Sequence, residues 1–400
     1  MAHTLKLPNP PDHSEPHQLS HQNPSPPMKL PSIIFAAAAA LLVPNTFALS
    51  PTNCNTADKS RTGSDFVLVE QPDNPNVASL SKKLKKVSVA DVFNDGNHKM
   101  KTDSSGRKLW EKKSGFNDLD TEKWIPQGIS STADASESGT VGGKDGWIVS
   151  WHRKDDKSAR VTFVDRANDK YRHALLVYPH AADNFREVPI HAGGIMWYGD
   201  KLWVVDTKNG IRVFDMANIW QVETGDPVGK TGSKYTAAGY KYVIPQIRWY
   251  KWSSSFPFRF SYMALDRTQD QHTILVGEYQ TNTTVPVRMT KYALDESTGR
   301  LKMSGKTAKA TWAYCVGIER MQGAVSANGK IYISRSNGKS NGDMWGWVPG
   351  KAAYKNAGFF PQSPEDLSYD KRRNGRVYGL TEAKGKRYII DSDARKVKFS

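Results

Sequence analysis

Six polar residues stand at equivalent places in a pattern that recurs along this chain: Gln127, His191, Tyr262, Gln322 and the adjacent pair Glu365 and Asp366. Each marks the entrance to a short segment rich in small residues: PQGIS (126–130), HAGGI (191–195), SYMAL (261–265), MQGAV (321–325) and PEDLS (364–368). Gathered in one place, two amides, an imidazole, a phenol and two carboxylates would form a ligand cradle. Hard cations such as Ca²⁺ take oxygen ligands, so Glu365 and Asp366 could hold one while Gln127 and Gln322 complete its shell. His191 would then be the general base of a metal-assisted hydrolase or lactonase, with Glu365 and Asp366 as its catalytic carboxylates. A glycan-cleaving enzyme would instead pair Glu365 with a second carboxylate such as Glu319. The plain alternative is a solvated channel whose polar residues hold water, a trait of the fold and not of a site.

These residues can meet only if the elements carrying them converge. Each small-residue segment is followed by an apolar strand: WIVSWHR (147–153), LWVVDT (202–207), ILVGEY (274–279), IYISRS (331–336) and VYGLTE (377–382). A third strand follows each: RVTFVDR (160–166), IRVFDM (211–216), VRMTKYALD (287–295), MWGWVPG (344–350) and RYIIDSD (387–393). Gly, Asn and Asp turns separate them, as hairpins require. Repeated antiparallel units of this kind predict an all-β fold, a β-propeller with five blades, six remaining open. Innermost strands crowd at the axis, which accounts for Gly128, Gly193, Gly194, Ala264 and Gly323. Outer fourth strands are clear at YRHALLVYP (171–179) and YKYVIPQI (240–247). The last repeat ends after three strands, so a closing strand is expected from the N-terminal region, at FVLVEQ (66–71) or KKVSVADVF (85–93). The stretches 131–144 and 222–238 read as surface loops.

Four zones follow. Residues 1–27 are Pro- and His-rich and read as a gene-model extension or disorder. Residues 28–48 carry Lys29, an Ala-rich apolar stretch too short to span a bilayer, and TFA before a cleavage point after Ala48. The expectation is a signal peptide and a secreted, extracellular protein. Residues 49–120 form an N-terminal arm, and 121–400 the propeller. Two cysteines in an oxidising compartment, Cys54 and Cys315, suggest one disulfide. Asn282 opens an NTT glycosylation sequon.

The net charge of +16 favours acidic partners, such as an anionic glycan, although a merely soluble basic surface gives the same balance. Basic runs lie in turns and a linker, which argues against nucleic acid. No stable membrane insertion is expected, and the chain reads as a monomer. No cofactor is certain; Ca²⁺ is the candidate. Secondary candidates are His152, Arg335 and Glu382, which end second strands and could rim the same mouth. Of the neighbours Glu319 and Arg320, one at most should face the channel. His173 and His180 read as surface residues. Trp197, Trp203 and Trp347 read as packing, and Trp249 and Trp252 as an exposed aromatic platform. No nucleophile elbow, phosphate loop, zinc-protease helix or paired-cysteine metal spacing occurs.

The segments WIPQGISSTADASESG, RVTFVD, YRHALLVYP, PIHAGGIMWYGDKLWVVDT and GIRVFDM resemble a family of secreted propeller-type proteins of filamentous fungi and actinobacteria. The resemblance runs from Trp124 to the C-terminus and rests most on HAGGI and GIRVFD. Among the fungal members the chain looks like the orphan of the trichothecene toxin cluster, a non-enzymatic protein linked to virulence on plants. The resemblance implies a binding or accessory role in virulence or toxin production. It assigns no catalytic residues.

Overall fold

A computed structural model describes residues 62–400. The described chain is all-β, with three one- or two-turn α-helices. The dominant motif is a four-strand antiparallel meander, and it occurs five times. The first uses Trp124–Ser131, Gly146–Arg153, Ala159–Asp165 and Lys170–Ala181. The second uses Ile195–Tyr198, Lys201–Asp206, Gly210–Asp215 and Tyr242–Trp252. The third uses Tyr262–Asp266, Thr273–Gly277, Arg288–Asp295 and Trp312–Cys315. The fourth uses Met321–Ala327, Lys330–Asn337, Ser340–Trp347 and Tyr354–Gln362. The fifth has Pro364–Asp370, Arg376–Thr381 and Tyr388–Asp393.

The fifth meander takes its fourth strand from upstream, as expected, but not from either expected segment. Lys108–Leu109 pairs with Tyr388–Ile389. Val67–Glu70 is instead an added strand between Tyr242–Trp252 and Thr307–Lys309, paired antiparallel with both. In KKVSVADVF only Lys85–Val87 is strand; Val89–Asn94 is helix. The cause is a capping box. Ser88 Oγ accepts the Asp91 amide at 3.1 Å, and the Asp91 carboxylate accepts the Ser88 amide at 2.8 Å. Both stretches read as loops also hold structure. Gly229–Thr231 and Lys234–Thr236 form a hairpin, and Thr132–Ala135 is a buried helical turn.

The first strands of the five meanders touch one another in cyclic order, the fifth returning to the first. This convergence explains the small residues. A Cβ on Gly194 would lie 2.4 Å from the Met263 amide nitrogen, and one on Gly323 would lie 2.6 Å from the Asp366 Cα. Between meanders the packing is apolar and aromatic. Trp197, Trp203 and Trp347 are fully buried there, as their strand positions imply. The first two meanders are also joined along their outer strands, where Leu175–Val177 runs parallel to Val243–Pro245.

The expected signal segment and Cys54 lie outside the described residues, so the Cys54–Cys315 pairing does too. Cys315 ends the outer strand of the third meander. Asn282 is exposed, with the Thr284 amide donating to its Oδ1 at 3.0 Å. No helix among the described residues is long and apolar enough to cross a membrane.

Candidate functional site

A cavity of about 520 Å³ opens where the first strands of several meanders begin. Four of the six sequence candidates line it: Gln127, His191, Gln322 and Glu365. Glu382, from the end of a second strand, joins them. The far wall carries Lys208, Asn209, Arg259, Ser261 and Tyr279.

The floor is a chain of amides and carboxyls. Gln322 Nε2 donates to Glu365 Oε1 at 3.0 Å, and Gln127 Nε2 donates to Glu382 Oε2 at 2.8 Å. Glu365 is 3% exposed. Burial pushes its carboxyl well above the usual range, and the neighbouring Glu382 and Asp366 push it further. Burial also raises Glu382, against the restraining effects of the Gln127 hydrogen bond and the more distant His191 and Arg387 charges. Among the described residues no cation pairs with Glu365, and burial favours its protonated form, which can donate as well as accept.

Tyr262 and Asp366 are not in this cavity, which corrects the six-residue ring. Tyr262 is fully buried among Leu275, Met289 and Met321, with its hydroxyl 3.9 Å from Met321 Sδ. Its ring faces the third-to-fourth meander interface because Gly277 opposite it leaves room. Asp366 also corrects the two-carboxylate Ca²⁺ pole and the catalytic trio. Glu365 and Asp366 are neighbours in the strand Pro364–Asp370, and alternation turns their side chains to opposite faces. Asp366 Oδ2 accepts the amides of Ile195 at 3.1 Å and Ile129 at 3.3 Å, inside the ring of first strands. Burial raises its carboxyl strongly although those amides favour the anion. Deeper still, Asp134 accepts from Ser130 and Ser368 at 2.7 Å each, and burial lifts it to about 6. Thus Asp366 and Asp134 secure the hub, while Glu365 faces the opening.

One cavity wall was only half foreseen. His152, named as a rim residue, is 6% exposed in its side chain, and its Nδ1 lies 2.6 Å from Asp156 Oδ1. His191 Nδ1 lies 3.1 Å from the same oxygen. The two imidazoles are 4.0 Å apart. Burial and, after it, the adjacent His191 charge lower His152 to about 4, against the pull of Asp156. Asp156 was missed because it stands in the 153–158 hairpin turn at φ 55°, a conformation that aspartate tolerates better than most residues. Its legible signal was its place four residues after His152 in a turn.

Other candidates fall away from the cavity. Glu319 is paired with Arg335 at 2.7 Å, which removes the Glu365–Glu319 glycosidase pair. Arg335 also reaches Asp343 at 3.2 Å. His173 is buried, contrary to a surface position, and belongs to a cluster at the junction of the N-terminal arm with the first and fifth meanders. There Asp118 accepts from Arg160 at 2.7 Å and from Tyr171 at 2.9 Å, and His173 Nε2 lies 2.9 Å away. Arg387 donates to the Asp118 carbonyl at 2.8 Å. Trp249 is no open platform: Arg212 lies over its ring at 3.9 Å and Lys251 at 4.6 Å. Trp252 packs against Phe66, Phe256 and Phe260.

No family model matches the chain, and no curated protein matches it. Among solved structures, an ACO/RPE65 chimera is similar at 10% identity and TM-score 0.31, covering 76% of this chain and 69% of its own. A Synechocystis apocarotenoid oxygenase variant is similar at 9% identity and TM-score 0.30, with 76% and 66% covered. A Mycobacterium tuberculosis puromycin-hydrolyzing peptidase follows at 10% identity and TM-score 0.25, with 79% and 48% covered, so the chain spans about half its length. Likenesses this weak carry no argument about fold detail or chemistry.

Proposed function

We propose that this chain is a secreted five-bladed β-propeller, stapled by Cys54 and Cys315, that binds a polyhydroxylated, acidic ligand at one mouth of its channel. Its role is that of a non-enzymatic binding or accessory protein in fungal virulence or toxin production. The observation that carries the binding reading is the cavity floor: Glu365 is buried without a cation beside Gln322, and Glu382 and Gln127 are its neighbours. Carboxyls whose burial favours the protonated form, beside primary amides, present donors and acceptors together, which is what vicinal hydroxyls need. Lys208 and Arg259 on the far wall supply charge for a carboxylate on the same ligand. The cyclic contact of the five first strands supports the propeller reading.

The test is calorimetric titration of the full chain with short oligogalacturonates. Saturable binding is expected, weakened at least about tenfold by the double change Lys208→Ala and Arg259→Ala, since two charge-assisted contacts are lost. Heat indistinguishable from dilution would sink the reading. A second reading is a glycan-active or other hydrolase, because a raised carboxyl at a polar cavity is also what a general acid requires. Shortened oligomers after prolonged incubation, absent with Glu365→Gln, would favour it over simple binding.

A further inference from the structure

The geometry points to a transition-metal site on the wall of this cavity, formed by His152, Asp156 and His191. It rests on the binding reading and deepens it by giving the cavity a Lewis-acidic wall beside its buried carboxyls. Three ligand atoms, one from each residue, lie within 4.8 Å of one another. Both imidazole Nδ1 atoms converge on one oxygen, Asp156 Oδ1, at 2.6 and 3.1 Å.

The three residues come from two meanders. His152 ends the second strand of the first, Asp156 sits in the turn that follows, and His191 precedes the first strand of the second. Their placement is thus set by packing between meanders. His152 is buried behind the lining, whereas His191 and Asp156 line the cavity with side chains 40% and 52% exposed.

Two imidazoles and one carboxylate suit a borderline first-row divalent ion such as Zn²⁺ or Co²⁺, with solvent or ligand oxygens filling the remaining positions. Ca²⁺ needs six to eight oxygens and is disfavoured by two nitrogens. The cation would take over the role that shared hydrogen bonding to Asp156 plays without it. A ligand carboxylate or vicinal diol entering over the neutral floor would reach its open positions.

The test is titration of the full chain with Co²⁺, followed by its visible absorption, and with Zn²⁺ by calorimetry. Residues 1–27 contain four further histidines, so the decisive quantity is the difference between wild type and variants. Wild type should take up one equivalent more than His191→Ala or Asp156→Gly, both changes at partly exposed side chains, with glycine suited to the φ of 55° at position 156. Affinity at that equivalent should fall by more than ~100-fold, beyond the ~10–100-fold that outer-shell groups contribute. Ca²⁺ should not compete at tenfold excess. Equal metal uptake and equal spectra in wild type and both variants would overturn the site. Oligogalacturonate titration separates this from the cavity reading. Saturable sugar binding with no metal difference removes the metal alone, whereas a metal difference with no sugar binding removes the proposed ligand and leaves the metal.

Discussion

The buried Asp118 at the joint of the N-terminal arm and the buried carboxyls of the cavity meet opposite fates. Asp118 is 3% exposed, as Glu365 is. Burial opposes its ionisation, but Arg160 and His173 outweigh that cost and hold it far below the usual range. Around it every partner is committed. Arg160 lies between Trp124 and Trp151 at 4.8 and 4.6 Å, and His173 is wedged between Asp118 and Thr162. Burial lowers His173 to about 4 and the Arg160 charge adds to that, so it is a neutral ring. Glu365 has equal burial and no cation, and it is pushed up. The lesson is that depth alone does not mark a site. A buried carboxyl paired with a cation and hydrogen-bonded on both oxygens seals a joint; one left with only amides and other carboxyls, at an opening, is free to meet a ligand.

The contrast can be broken most forcefully at the sealed joint. Asp118→Asn strands the Arg160 charge and should cost about 3–5 kcal/mol, the usual toll of opening a buried ion pair. Urea denaturation at pH 7 reads it. A loss under about 1 kcal/mol would mean the seam tolerates an uncompensated cation.

Asp134 gives the next effect, and its sign is opposite to that of a salt-bridged aspartate. Its folded-state value is raised to about 6 from 3.8, so the native state holds the proton more tightly than the unfolded chain. Stability from this group is therefore present at low pH and declines as pH rises from about 4 to about 6. Asp134→Asn should remove that decline, so the variant gains on wild type by roughly 2–3 kcal/mol between pH 4 and pH 7. Parallel stability curves for the two proteins would contradict it. Asp118 works the other way. Its contribution is full above the unfolded value near 4 and fades as pH falls below it.

The smallest effect is expected at the cavity floor. Burial favours protonated Glu365, which is nearly isosteric with glutamine, so Glu365→Gln should change stability at pH 7 by less than about 1 kcal/mol, while Asp118→Asn is severe. A loss of several kcal/mol would show that the Glu365 carboxyl is an anion with a structural partner.

The repeat was legible because strand alternation, hairpin turns and small axial residues are local signals, and all five meanders stand where they indicated. Gln127, His191, Gln322 and Glu365 followed from equivalence of position, which survives any repeat that closes on itself. The same logic failed for Tyr262 and Asp366, because equivalence places a backbone and not a side-chain direction. Asp366 follows Glu365 directly in its strand, so alternation sends it to the other face. The Asp118 cluster had no signature. Its members lie at 118, 160, 171, 173 and 387, and only tertiary closure brings the arm against both ends of the repeat. Likewise Lys108–Leu109 is too short and too polar to announce a closing strand, whereas FVLVEQ has the composition but a different partner.

Carbon-13 NMR of glutamate-carboxyl-labelled protein, in chelator and without ligand, tests the neutral floor directly, with resonances assigned through Glu365→Gln and Glu382→Gln. The Glu365 carboxyl should keep its protonated shift at pH 7, and Glu382 should titrate above the bulk of the glutamates. Both carboxyls ionising together with exposed glutamates would contradict a floor of neutral acids and remove the basis for a hydroxyl-binding cavity.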